Sequence, residues 1–124
     1  MRKNLDELAH LRQQEFIMEC FKLIAEVHPG DITLNQIRII QYIAFRSLQT
    51  GIGTMHKDIC DALGLAPSTV TRAISGFVER GIITEQKDPE DGRKRFVVMN
   101  QSYPSRATLD TQLDELAKRF FRDT

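Results

Sequence analysis

Apolar positions recur along the chain at helical spacing, except in one stretch near the middle where they alternate as in strands. From Leu5 to Val27, Leu8, Ile17, Phe21 and Ile24 share one side of a helix, joined by Cys20 and, near the ends, by Leu5 and Val27. His28-Pro29-Gly30-Asp31 closes that helix and turns the chain. Thr33 then stands at an N-cap position with Gln36 three residues on, the spacing of a capping box. The helix that follows turns Leu34, Ile37, Ile40, Ile43 and Ala44 inward, with Ile39, Tyr42 and Phe45 widening the stripe. Gly51-Ile52-Gly53 ends it as a turn with a short strand. A lone GxG that opens no helix is not a dinucleotide site. Beyond Pro104, Leu109, Leu113, Leu116, Ala117 and Phe120 recur at spacings of three and four with Phe121 beside them, which predicts a last amphipathic helix.

The stretch from Thr54 to Met99 organises the rest. A short helix, Met55 to Leu63, with Thr54 as its expected cap, meets the break Gly64-Leu65-Ala66. A second helix runs from Pro67, suited to a first helical turn, to about Arg80, where Gly81 ends it. Ile59, Cys60 and Leu63 are the inward positions of the first, Cys60 filling a small buried slot and Leu65 capping the turn. Val70, Ala73, Ile74, Phe77 and Val78 form the buried stripe of the second. Ile82 to Lys87 and Phe96 to Met99 are β-rich, and Asp88-Pro89-Glu90-Asp91-Gly92 between them is turn chemistry.

The outer face of the second helix carries Ser68, Thr69, Arg72, Ser75 and Glu79, with Thr71 at its margin. Hydroxyls bond phosphates or base edges, and arginine grips guanine with two bonds. A solvated helix face has the same composition, so this face alone decides nothing. The hairpin adds Arg93, Lys94 and Arg95 at the mouth of its second strand, placed for phosphates or a narrow minor groove. Helix, turn, helix and basic hairpin in this order is a DNA-reading arrangement, and Thr54 and Lys57 are added as backbone anchors.

Two stretches carry a family resemblance: LGLAPSTVTRAISGFVERGII, Leu63 to Ile83, and the pattern Asp88-x-x-Asp91-x-Arg93. With ITLNQIRIIQYIA, Ile32 to Ala44, they resemble the multiple-antibiotic-resistance regulators (MarR), which are dimeric winged helix-turn-helix repressors. The resemblance covers about residues 32 to 100. It implies that Ser68, Thr69, Thr71 and Arg72 face the major groove and that Arg93 enters the minor groove. Asp91, with Asp88, would orient the wing. Family members end in two helices, whereas the stretch after Tyr103 has room for one.

The 124 residues, 41% hydrophobic and 27% charged, match a soluble globular chain of one domain. Its expected parts are an N-terminal helix over 1–31, a winged core over 32–100 and a C-terminal helix over 101–124. No apolar run approaches the roughly 20 residues of a membrane span. The first residues lack a signal peptide's apolar core, so a cytoplasmic protein is expected and the sequon at Asn100 is accidental. The chain holds 17 basic and 17 acidic residues. Pro67 to Met99 holds six Arg/Lys (72, 80, 87, 93, 94, 95) against five Asp/Glu (79, 85, 88, 90, 91). That balance argues against a general nucleic-acid binder and for weak non-specific affinity.

Cys20 and Cys60 form no C-x-x-C pair, so neither zinc nor a redox dithiol is indicated. A buried small hydrophobe is the commoner fate for Cys20, although a peroxide-sensing branch of the resembled family keeps a reactive cysteine in its early helices. His10, His28 and His56 are scattered, and Asp88, Glu90 and Asp91 lack the ligand series of a calcium loop. No cofactor motif or catalytic constellation emerges.

The expectation is therefore a mainly α fold with a small β wing, a winged helix-turn-helix flanked by N- and C-terminal dimerisation helices. Its function is that of a homodimeric repressor on double-stranded DNA with an inverted repeat. One alternative is a winged-helix module that binds protein; another is a sensor of the same family, answering to a small-molecule effector or to oxidation of Cys20.

Overall fold

A computed structural model describes residues 4–27, 30–51, 53–100, 102 and 104–121, without the side chains of 27 and 104–109. His28 and Pro29 of the expected turn, Ile52, Gln101, Tyr103 and the side chains of Val27 and Leu109 lie outside the described residues. The elements are α1 (Leu5–Val27), α2 (Leu34–Thr50), β1 (Thr54–Met55), α3 (His56–Leu63), α4 (Pro67–Glu79), β2 (Ile83–Lys87), β3 (Arg95–Met99) and α5 (Pro104–Phe121). The fold is mainly helical with one small antiparallel sheet, ordered β1-β3-β2. The chain divides into two compact units: Met1–Ile32 with Pro104–Thr124, and Thr33–Tyr103.

In the central unit, local chemistry sets most boundaries. Thr33 Oγ1 accepts from the Gln36 backbone N–H at 3.1 Å, and the Thr33 N–H donates to Gln36 Oε1 at 2.8 Å, closing the capping box. Gly51 and Gly64 end α2 and α3 in the left-handed conformation that a side chain disfavours. At the end of α4, Gly81 (φ 75°) lets its own N–H reach Val78 O and that of Ile82 reach Phe77 O, a Schellman motif.

The core of this unit holds Ile39, Ile40 and Ile43 of α2, Ile59 of α3, and Val70, Ala73, Ile74 and Phe77 of α4. Ile82, Ile83, Val97 and Met99 complete it from the sheet side. The sequence expectation differs in detail. Leu34 and Phe45 are exposed, and Ile39, expected at the margin of α2, is fully buried. Val78 is exposed at the edge of the α4 stripe, and Cys60 is only half-buried.

Thr54 is a correction. It does not cap α3, whose N-cap is Met55 without a side-chain bond. Pairing in β1, Thr54 with Val97 and Met55 with Phe96, moves the start of α3 to His56. Gly53 permits that pairing, because a Cβ there would stand 2.5 Å from Phe96 Cβ. Smaller shifts follow: α4 ends at Glu79 with Arg80 as its cap, β2 starts at Ile83 and β3 at Arg95.

In the terminal unit, α1 packs on α5 through Phe16, whose ring meets Phe120 and Phe121 edge-on at 5.5 and 4.9 Å. The guanidinium groups of Arg12 and Arg119 both lie over Phe120. Leu116 is buried, while Leu113 and Phe121 are exposed. Leu5, Leu8, Ile17 and Phe21, expected to share one apolar side of the helix, are exposed together with Leu11 and Met18. The packed side of α1 is thus rotated toward Phe16.

Candidate nucleic-acid interface

Helix α4 begins at Pro67 with Ala66 as N-cap, which offers no side-chain acceptor to the first turn. Four buried side chains fix its inner side, so the 3.6-residue period sends Ser68, Thr71, Arg72, Ser75 and Glu79 outward. Thr69 is half-buried. With Arg72 and Ala73 it lines a cleft of about 270 Å³, faced by Thr33, Asn35, Gln36 and Ile39. Arg72 has no carboxylate within ion-pairing distance among the described residues, so its charge is available to a ligand.

The turn before α4 is held from α2. Arg38 donates to the Leu63 carbonyl at 2.8 Å and to Asn35 Oδ1 at 3.1 Å. The first bond satisfies the last carbonyl of α3 and so braces the break that aims α4. Sequence reasoning missed Arg38, since helical spacing alone does not reveal a partner 25 residues away.

The wing is the hairpin β2–β3. Asp88 closes it by donating its N–H to Lys94 O and by accepting from the Glu90 N–H at 2.9 Å. Asp91 accepts the Arg93 backbone N–H at 3.0 Å, while the Lys94 N–H donates to the Asp91 carbonyl. Both aspartates therefore shape the wing through main chain in Asx turns. Arg93 and Lys94 are exposed at the tip. Arg95, at the loop end of β3, pairs with Glu85 at 3.5 Å, and Glu85 in turn lies 3.8 Å from His56 Nε2.

Of the expected backbone anchors, Lys57 is exposed on α3, whereas Thr54 is 2% exposed with its Oγ1 enclosed. The Thr54 hydroxyl is walled off from solvent, and sequence reasoning placed it outside only because it took the residue as a helix cap. Glu85 and His56 were missed because their meeting depends on strand register. Closure by Asp88 and Lys94 sets Lys87 opposite Arg95 and hence Glu85 opposite Val97.

Among the described residues no group of three His, Cys, Asp or Glu could hold a metal ion. None of the described helices is long and apolar enough to cross a membrane. Burial raises the Cys20 thiol above its ordinary pKa, which lowers its thiolate fraction at neutral pH.

The family model described as MarR family matches residues 30–94, just over half of the chain. No curated protein matches. Several solved structures share the fold. A MepR mutant from S. aureus bound to an oligodeoxyribonucleotide is 18% identical at a TM-score of 0.68, over 99% of this chain and 86% of that one. S. aureus MepR bound to ethidium bromide is 19% identical at 0.68, over 98% and 84%. A mutant MarR from E. coli complexed with operator DNA is 18% identical at 0.55, over 96% and 78%.

Proposed function

Since the chain belongs to the MarR family, whose members are transcription regulators and not enzymes, we propose that it is a sequence-specific repressor that binds double-stranded DNA as a homodimer. The observation that carries this reading is the outer face of α4, where Ser68, Thr71, Arg72 and Ser75 are exposed beside four core anchors. Those side chains, with Thr69, read the major groove. Arg93 enters the minor groove, Lys94 contacts phosphate beside it, and Lys57 holds the backbone near α3. The related MepR and MarR structures that hold an oligodeoxyribonucleotide and operator DNA support the same partner for this chain. The exposed apolar residues of α1 supply a surface for a second copy. A two-fold dimer presents two α4 helices about 34 Å apart and calls for an inverted repeat.

Selection of genomic fragments by the purified protein, followed by binding of the best fragment across a salt series, tests the reading. An inverted repeat with half-sites about one turn apart is the expected outcome. Arg72→Ala should then cost about 1–3 kcal/mol and relax the preference at one base pair. Failure to enrich any fragment at low salt would favour a protein-binding winged helix.

A second reading adds an effector. A cavity of about 280 Å³ between α1 and α5, lined by Arg12, Gln13, Phe16, Ile17, Phe120 and Phe121, has the aromatic walls on which a flat aromatic ligand can stack. MepR bound to ethidium bromide supports this version. Ethidium should raise the melting temperature of this protein, and Phe16→Ala should abolish the rise.

A further inference from the structure

Glu85 stands at the centre of a charge cluster that runs from the middle of the wing toward its loop end. Register places Glu85 of β2, Val97 of β3 and Thr54 of β1 in one row across the sheet, so their side chains share a face. Thr54 and Val97 are buried there. Glu85, on the edge strand, carries its carboxylate between two nitrogen donors. Arg95 Nη1 lies 3.5 Å from Oε2, and His56 Nε2 lies 3.8 Å from Oε1. The second contact is an ion pair only when the imidazole is protonated.

Lys87 stands directly opposite Arg95 across the ladder. Like charges in that relation destabilise a sheet, and the diagonal Glu85 offsets them. Arg93 and Lys94 differ from Arg95, because among the described residues neither has a carboxylate within ion-pairing distance. The Glu85 side chain is 29% exposed and that of Arg95 56%, so this is a surface pair whose strength falls as salt rises.

We propose that Glu85 is an electrostatic restraint on the wing, occupying Arg95 so that, of the adjacent cations Arg93, Lys94 and Arg95, two rather than three are offered to DNA phosphates. The proposal rests on the reading of the chain as a DNA-binding regulator and adds to it a limit on sequence-independent affinity. A neutral Arg95–Glu85 pair brings no net charge to the backbone and releases no counterion from it. Removing the carboxylate's charge while keeping its shape turns Arg95 into a third free cation.

The test is binding of a random-sequence duplex across a salt series by the unaltered protein and by Glu85→Gln, with the melting temperature of each as a fold check. The variant should bind on the order of tenfold tighter at about 0.1 M salt, with the slope of log K against log salt steeper by about 0.9. The swapped pair, Glu85→Arg with Arg95→Glu, restores neutrality and should return the slope of the unaltered protein. An unchanged slope in Glu85→Gln, or a shallower one in the swap, overturns the restraint while DNA binding stands. No binding of any duplex by the unaltered protein at low salt overturns the DNA-binding reading and the restraint with it.

Discussion

Thr54 keeps its hydroxyl inside the central unit with no hydrogen-bond partner among the described residues. An unsatisfied buried polar group costs free energy that an apolar group of the same shape does not. Thr54→Val keeps the β-branched shape that β1 favours, so thermal melting should show a gain of about 1 kcal/mol. DNA affinity should be retained; a weaker complex from a more stable protein would show that the hydroxyl reaches the backbone after all. Cys20 leads to a prediction in the other direction. Its raised pKa means that the fold holds the proton more tightly than the unfolded chain does. The associated stability is present at neutral pH and is lost as pH rises past the ordinary thiol range. With Cys60 replaced by serine, Cys20 should react with a disulfide reagent more slowly than an unhindered thiol at pH 7. A faster reaction would revive a redox-sensing role.

At the scale of elements, signals that act within one turn were legible in the sequence. The Thr33–Gln36 capping box, Pro67 at the start of α4, and the glycines after α2, α3 and α4 each involve neighbours a few residues apart. What was not legible depends on distant pairing. Thr54 joins Val97 in the sheet instead of capping α3, and Glu85 meets Arg95 only once the hairpin register exists. Gly53 makes the same point, since its lack of a side chain matters only after β3 has come alongside. Gly53→Ala should therefore force β1 away from β3 and destabilise the protein by about 1–3 kcal/mol, readable in a denaturant melt. Arg38→Met removes the brace on the Leu63 carbonyl while keeping the aliphatic stem. It should lower stability by about 1 kcal/mol and weaken DNA binding by more than the stability loss explains, because the break before α4 loosens. Equal binding per folded molecule would reduce Arg38 to a structural role.

For the whole molecule, the sequence supplied amphipathic helices at both ends but not the side of α1 that α5 covers. Two apolar edges compete on α1, and Phe16 wins because Phe120 and Phe121 are there to receive it. Leu8, Leu11, Met18 and Phe21 are left outward, and apolar side chains grouped on one side of a helix suit contact with another protein surface. Phe21→Glu should shift the protein toward monomer in sedimentation and reduce operator affinity about 10²–10⁴-fold, the loss expected when two linked half-sites become independent. A dimer that survives the change would move the contact surface elsewhere. The bonds from Arg12 to the carbonyls of Arg119 and Phe120 join positions 107 and 108 residues apart. During synthesis α1 therefore precedes the central unit yet meets its partner only after the whole of 33–103 has been translated. Until Phe120 and Phe121 leave the ribosome, Phe16 has neither ring to pack against, and a message cut short before α5 would leave α1 orphaned.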